Sequence, residues 1–115
     1  MDTRTKIVPG AEAVKLAAAG ATVVSGYFDP LLASHARRLA QIKRGRTPLL
    51  VLVSTSANPI LPARARAELV ASLGVVDHVA EATEGIEAHV SLELEDDARL
   101  EEQIEHVHAR QSATS

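Results

Sequence analysis

The chain has 115 residues and a formal net charge of −3, with 46% hydrophobic and 23% charged residues, a composition typical of one folded domain. The absence of cysteine excludes disulfides, cysteine zinc sites and thiol nucleophiles, and the acidic balance argues against a broad nucleic-acid-binding face. No apolar run reaches the roughly 20 residues of a membrane helix, and the polar N-terminus lacks a secretory signal, so we expect a cytosolic protein without a membrane partner.

The predicted elements alternate along the chain. In order they are helix 11–19, strand 21–25, helix 34–44, strand 49–53, helix 62–73, strand 77–80, edge strand 89–94 and helix 96–109. Alanine favours the first helix and Gly20 ends it, while Ser34 is the expected N-cap of the second. The unpatterned apolar run 49–53 predicts a strand covered on both faces.

Strands separated by helices pair in parallel through right-handed crossovers. We therefore predict a small three-layer α/β sandwich with a parallel, Rossmann-like sheet. Residues 1–110 are expected to form the single domain and residues 111–115 a disordered tail. Ligands of such sheets bind beyond the carboxyl ends of the strands, where the strand order reverses, so segments 25–34 and 54–61 are the expected site.

The loop after the first predicted strand has the residues of a phosphate site. Gly26 ends the strand, which allows the backbone to come close to a ligand. Ser34 and His35 open a helix whose unpaired amides and dipole favour an anion, and His35 can donate to a phosphate oxygen. The alternative is structural: Ser34 only caps the helix, Phe28 is a core residue and His35 lies on the surface. The residues alone leave both interpretations open.

The run Gly26-Tyr27-Phe28-Asp29, followed by Ser34-His35, resembles the first-loop motif of the cytidylyltransferase-like nucleotidyltransferases. It is most similar to the nucleotidyltransferase domain of ADP-heptose synthases, and the similarity extends over about residues 6–80 through Val53-Ser54-Thr55 and the segment from Arg66.

The resemblance implies transfer of a nucleoside monophosphate from CTP or ATP to a phosphorylated sugar or alcohol. It also implies Mg²⁺ held mainly by the substrate phosphates, and a homodimer. His35 is the implied catalytic residue. The implied nucleotide and phosphate contacts are Gly26, Tyr27, Phe28, Asp29, Ser34, Ser54, Thr55 and Arg66.

The chain departs from the family pattern in the residues that perform the reaction. Leu32 replaces the first histidine of the H-x-G-H motif, and Ser34 replaces its glycine. Leucine has no hydrogen-bond donor, and loss of one such donor costs roughly 10²–10³ in rate. We therefore expect a nucleotidyltransferase domain with weakened or lost catalysis. The alternative is a non-catalytic nucleotide-binding or protein-interaction module, so enzymatic activity stays open.

No protein metal site is predicted. His106 and His108 lie two residues apart on a predicted helix and point in different directions. The acidic residues from Glu93 to Glu105 lack the pattern of a calcium-binding loop and predict a solvated helix face.

Overall fold

The computed structural model of the chain describes residues 3–43 and 45–95. Within them, four strands form one sheet: β1 (Thr22–Gly26), β2 (Leu49–Val53), β3 (His78–Glu81) and β4 (Val90–Ser91). The helices are a 3-10 helix (Thr3–Lys6), α1 (Gly10–Ala18), α2 (Ala33–Ile42) and α3 (Ala63–Ala71). None of these helices has both the length and the apolar character needed to span a bilayer.

The strand order is β3-β2-β1-β4, and every pair of neighbours is parallel. Val24 of β1 pairs with Val51 of β2 on one side and with Val90 of β4 on the other. The first three strands therefore progress in one direction, and the chain then crosses back to place β4 on the far side of β1. This layout confirms the predicted parallel α/β sandwich and puts the reversal of strand order between β1 and β4.

Both faces of the sheet are buried, which explains the unpatterned apolar sequence of β2. Leu49, Val51 and Val53 pack into a cluster with residues of α2 and α3. Leu50 and Leu52 point to the opposite face, into a second cluster with residues of α1 and of the segment that links β3 to β4. A parallel strand covered in this way needs apolar side chains at every position.

Two local predictions were wrong. Ser34 is not the N-cap of α2, because the helix begins at Ala33 and Leu32 occupies the cap position. The predicted edge strand 89–94 is a strand only over Val90–Ser91, and residues 92–95 are helical. Within this helical segment the Glu93 side chain accepts hydrogen bonds from Ser25 and Ser91, near the ends of β1 and β4.

Other predicted features lie outside the described residues. These are the helix 96–109, the domain boundary at residue 110, the tail 111–115, the two histidines at 106 and 108, and Arg44 at the end of the second predicted helix.

Gly26 at the end of β1 lies against the aromatic ring of Phe28. A Cβ atom at this position would approach two carbons of that ring to 2.7 Å, closer than real Cβ atoms come to their neighbours. Phe28 is 1% exposed and has a φ of 51°, a left-handed conformation that is unfavourable for a bulky residue. The missing side chain at Gly26 therefore makes room for the core position of Phe28.

We predict that Gly26→Ala lowers the free energy of unfolding by about 1–3 kcal/mol, because the buried Phe28 ring has little room to move away. Chemical denaturation measures the change. Gly74→Ala is the matched control, since a Cβ there would meet no atom within 4 Å. Equal losses in the two variants would contradict the proposed contact.

Candidate functional site

The two predicted site segments follow β1 and β2 and therefore lie together at the carboxyl edge of the sheet. The backbone amide of Ser54 donates to the carbonyl oxygen of Gly26 at 2.8 Å, which continues the pairing of the two strands into their loops. Both segments therefore lie at the carboxyl edge, as expected from the sequence, next to the reversal of strand order between β1 and β4.

Arg66 of α3 holds the two loops together from within the protein. Its side chain is 0% exposed. The guanidinium donates to the carbonyl oxygens of Tyr27 at 3.0 Å, Ser54 at 2.5 Å and Leu61 at 3.0 Å, and to the Thr55 hydroxyl at 3.0 Å. These bonds connect the loop after β1 to the loop after β2. Arg66, expected to contact phosphate, is thus directed towards protein groups of its own chain.

Asp29 makes the reciprocal connection from the first loop to the second. Its carboxylate accepts hydrogen bonds from the backbone amides of Ile60 at 2.7 Å and Leu61 at 2.8 Å. The Ile60 amide is the main cause that lowers the pKa of Asp29; the Leu61 amide and the Arg66 charge act in the same direction, against a raising effect of burial. Arg66, Asp29 and their hydrogen-bond partners are called the loop clamp below.

His35 lies in the first turn of α2 and is only 6% exposed. Its Nδ1 accepts a hydrogen bond from the backbone amide of Leu32 at 3.1 Å, and its ring meets Phe28 edge to face at a centroid distance of 5.5 Å. Because Nδ1 is an acceptor, the neutral ring carries its proton on Nε2. The His35 ring thus accepts the amide of the N-cap residue, which is the role of the third helical residue in a capping box and not that of the N-cap side chain expected of Ser34.

Five of the predicted site residues belong to the loop clamp and are joined in one hydrogen-bonded network. They are Tyr27, Asp29, Ser54, Thr55 and Arg66. The other predicted residues surround the start of α2: Phe28 packs against His35 and under Gly26, and Ser34 is partly exposed in the first turn.

Glu93 is the polar residue of this edge that the sequence argument missed. Its Oε2 accepts hydrogen bonds from the hydroxyls of Ser25 at 2.7 Å and Ser91 at 2.6 Å, and its Oε1 accepts one from Ser54 at 2.5 Å. The prediction of a solvated helix face is wrong for this residue. A serine at the end of each of three strands was the signal in the sequence. The four residues are called the serine cluster below.

The hydroxyls decide the ionisation of Glu93. Burial raises the pKa of a carboxyl, but the hydrogen bonds from Ser54, Ser91 and Ser25 outweigh that effect and lower the pKa of Glu93 below its ordinary value of 4.5. Glu93 is therefore a carboxylate at neutral pH.

The serine cluster and the start of α2 lie on different sides of the sheet. Val24 points towards α2 and α3, whereas Val23 and hence Ser25 point towards the face of α1. Phe28 belongs to the cluster on the α2 and α3 side. The carboxyl edge thus has two distinct polar regions, one at each face of β1.

A cavity of about 490 Å³ opens farther along the same edge, beyond β3. Its lining consists of Ile7, Val8, Pro9, Gly10, Arg64, Ala67, Glu81, Ala82 and Thr83. Its volume lies in the range of small-molecule sites, but none of the predicted site residues lines it. In residues 3–43 and 45–95 no group of three or more His, Asp or Glu side chains is arranged to hold a metal ion.

Comparisons of the chain with protein-family models and with curated proteins gave no match.

We predict that Arg66→Lys lowers the free energy of unfolding by at least about 2 kcal/mol, because an ammonium cannot reach the four acceptors that the guanidinium fork satisfies. Urea denaturation measures the loss. Arg64→Lys, two residues earlier on α3 and exposed, should change stability by less than about 0.5 kcal/mol. If Arg66→Lys left the free energy of unfolding unchanged, the loop clamp would not stabilise the fold.

A second prediction concerns acid stability. A carboxyl whose pKa is lowered by folding stabilises the protein above its unfolded pKa and loses that contribution as the pH falls through its folded pKa. Unfolding free energies from near pH 7 to about pH 3 should therefore fall more steeply in the wild type than in Glu93→Gln below pH 4.5. Burial raises the pKa of Asp77, before β3, but hydrogen bonds from the Lys43 side chain and the Leu49 amide outweigh that effect and lower the pKa. Asp29 and Asp77 titrate in both proteins, so the difference isolates Glu93. If the unfolding free energies of the wild type and of Glu93→Gln fell in parallel with pH, the lowered pKa of Glu93 would be refuted.

Proposed function

We propose that this chain is a nucleotide-binding domain of the cytidylyltransferase-like type in which nucleotidyl transfer is weakened or lost. The observation that supports it best is the position of Leu32. This residue occupies the N-cap position of α2 beside His35, is 51% exposed, and stands where the family motif has its first histidine. A ligand can reach the position, but the side chain there cannot donate a proton or a hydrogen bond.

The remaining groups suit binding of a phosphate more than its activation. The first amides of α2 have no partner within the helix and give this end a positive potential. His35 lies in the same turn with its Nδ1 bonded to the Leu32 amide, and the loop clamp fixes the loop that precedes the helix. Mg²⁺ would enter with a nucleoside triphosphate and be held mainly by its phosphates.

Calorimetric titration with CTP, ATP, CMP and AMP tests the binding function. We expect binding of at least one of these nucleotides, with little or no pyrophosphate released when a phosphorylated sugar or glycerol 3-phosphate is added. Rapid pyrophosphate release by the wild type would contradict the loss of catalysis, and a chain that binds none of the nucleotides would contradict the binding function.

Leu32→His should restore the missing donor. We predict that it raises pyrophosphate release from CTP or ATP, in the presence of phosphorylated acceptors, by at least about tenfold over the wild type. Ala33→His is the matched control, because it adds the same group one residue away at an exposed position of the same turn. A gain of equal size in both variants would show that the position of Leu32 has no special role.

A protein-interaction module is the second candidate. Ile60 is 78% exposed in the loop after β2, although Asp29 holds its backbone amide. Together with Leu32 it gives the carboxyl edge an apolar character that suits contact with another protein, and a second copy of this chain is our proposed partner. The absence of nucleotide binding, together with dimers in sedimentation experiments, would favour this function. A cytosolic location remains part of the proposal in either case.

A further inference from the structure

Three serine hydroxyls converge on one anion where the sheet reverses its strand order. Ser25 is the penultimate residue of β1, Ser54 follows β2, and Ser91 ends β4, so the donors come from three adjacent strands. All three donate to the Glu93 carboxylate, two to Oε2 and one to Oε1. The strand ends therefore form a preorganised set of donors that surrounds two negatively charged oxygens.

A phosphoryl group presents the same pattern to such donors. Like a carboxylate, it carries two or more negative oxygens on one central atom, and the same hydrogen-bond donors commonly recognise both groups. The cluster also lies between β1 and β4, where parallel sheets of reversed strand order bind their ligands. Glu93 therefore occupies, with its own carboxylate, the position that suits the phosphate of a ligand.

We propose that the hydroxyls of Ser25, Ser54 and Ser91 form a binding site for one phosphoryl group, and that Glu93 is an internal competitor that closes this site. The proposal rests on the proposed function for the origin of the phosphoryl group, which is a nucleotide or a phosphorylated acceptor. It assigns the serine cluster a role separate from that of the α2 start on the opposite face of the sheet.

The geometry allows such competition. Glu93 belongs to the helical residues 92–95 directly after β4, and it is partly exposed rather than sealed in the core. Its carboxylate can leave the serines by side-chain rotation, whereas Ser25 and Ser91 are fixed by the pairing of β1 with β4. A bound phosphate must displace the carboxylate and also overcome its charge.

Titration of the full chain with inorganic phosphate at constant ionic strength tests the proposal. Glu93→Ala should bind phosphate with a Kd at least roughly tenfold below that of the wild type, because one negative charge within contact distance has been removed. Glu87→Ala removes an equal charge at an exposed position after β3 and should bind like the wild type. Adding Ser54→Ala to Glu93→Ala should reverse most of the gain.

Equal affinities of Glu93→Ala and Glu87→Ala, or a gain that survives Ser54→Ala, would overturn the proposal. If Glu93→Ala fails to fold, amide chemical shifts of the wild type at high phosphate decide instead. Saturable changes at residues 25, 54 and 91 support the site, and changes confined to other residues overturn it. Titrations of Glu93→Ala with CMP and with a sugar phosphate show which ligand gains affinity over the wild type, and thus which molecule supplies the phosphoryl group.

The outcome is separable from that of the proposed function. Nucleotide binding by the wild type, combined with no effect of Glu93→Ala on phosphate, would refute the serine cluster site and leave the proposed function intact. Phosphate binding that depends on Glu93 and Ser54, without any nucleotide binding, would support the serine cluster site and contradict the proposed nucleotide-binding function.

Discussion

The shape of the carboxyl edge depends on one buried guanidinium. A charge placed in the protein interior is costly unless hydrogen bonds replace its hydration, and Arg66 obtains them from two loops at once. Three of its four acceptors are backbone carbonyls of these loops, and the fourth is the Thr55 hydroxyl. Arg66 therefore connects the loops, and the loops supply the hydrogen bonds of its buried charge. A change of shape in either loop would remove some of these bonds from the buried guanidinium.

Asp29 and Glu93 show how the same edge accommodates negative charge. Asp29 accepts from two backbone amides near Arg66, and its charge offsets that of the guanidinium. Glu93 has no cationic partner among the contacts that lower its pKa and is stabilised by neutral donors, namely the three serine hydroxyls and its own backbone amide. A carboxylate held by neutral donors is easier to replace by another anion than one held by an ion pair, because such hydroxyls can donate to any oxyanion. This difference explains why we assign ligand exchange to Glu93 and a fixed structural role to Asp29.

The sequence predicted those features that depend on local composition. The strand Leu49–Val53 was predicted to the residue, because an apolar run bounded by Pro48 and by polar residues has few other structures open to it. The end of β4 was missed, and two of the serines that bond to Glu93 just after it are 68 and 39 residues away along the chain, beyond the reach of local sequence patterns. The burial of Arg66 was also invisible, since its acceptors are mostly carbonyl oxygens, which every residue possesses. The cap of α2 was misassigned because the helix begins earlier than predicted, at Ala33, which puts Leu32 and not Ser34 at the cap position.

The contacts also separate the part of the first-loop motif that maintains the fold from the part that bears on a reaction. Gly26 accommodates the Phe28 ring, Asp29 holds the second loop, and Arg66 joins both loops. Each of these residues is needed for the loop conformation whether or not a nucleotide binds, so the likeness to nucleotidyltransferases at these positions is a likeness of structure. In our proposal the reaction depends instead on the donors at the first turn of α2. The side chain of Leu32, at the N-cap position, supplies none. We therefore propose that this protein holds a phosphate on the retained framework but lacks much of the stabilisation of the transferred charge.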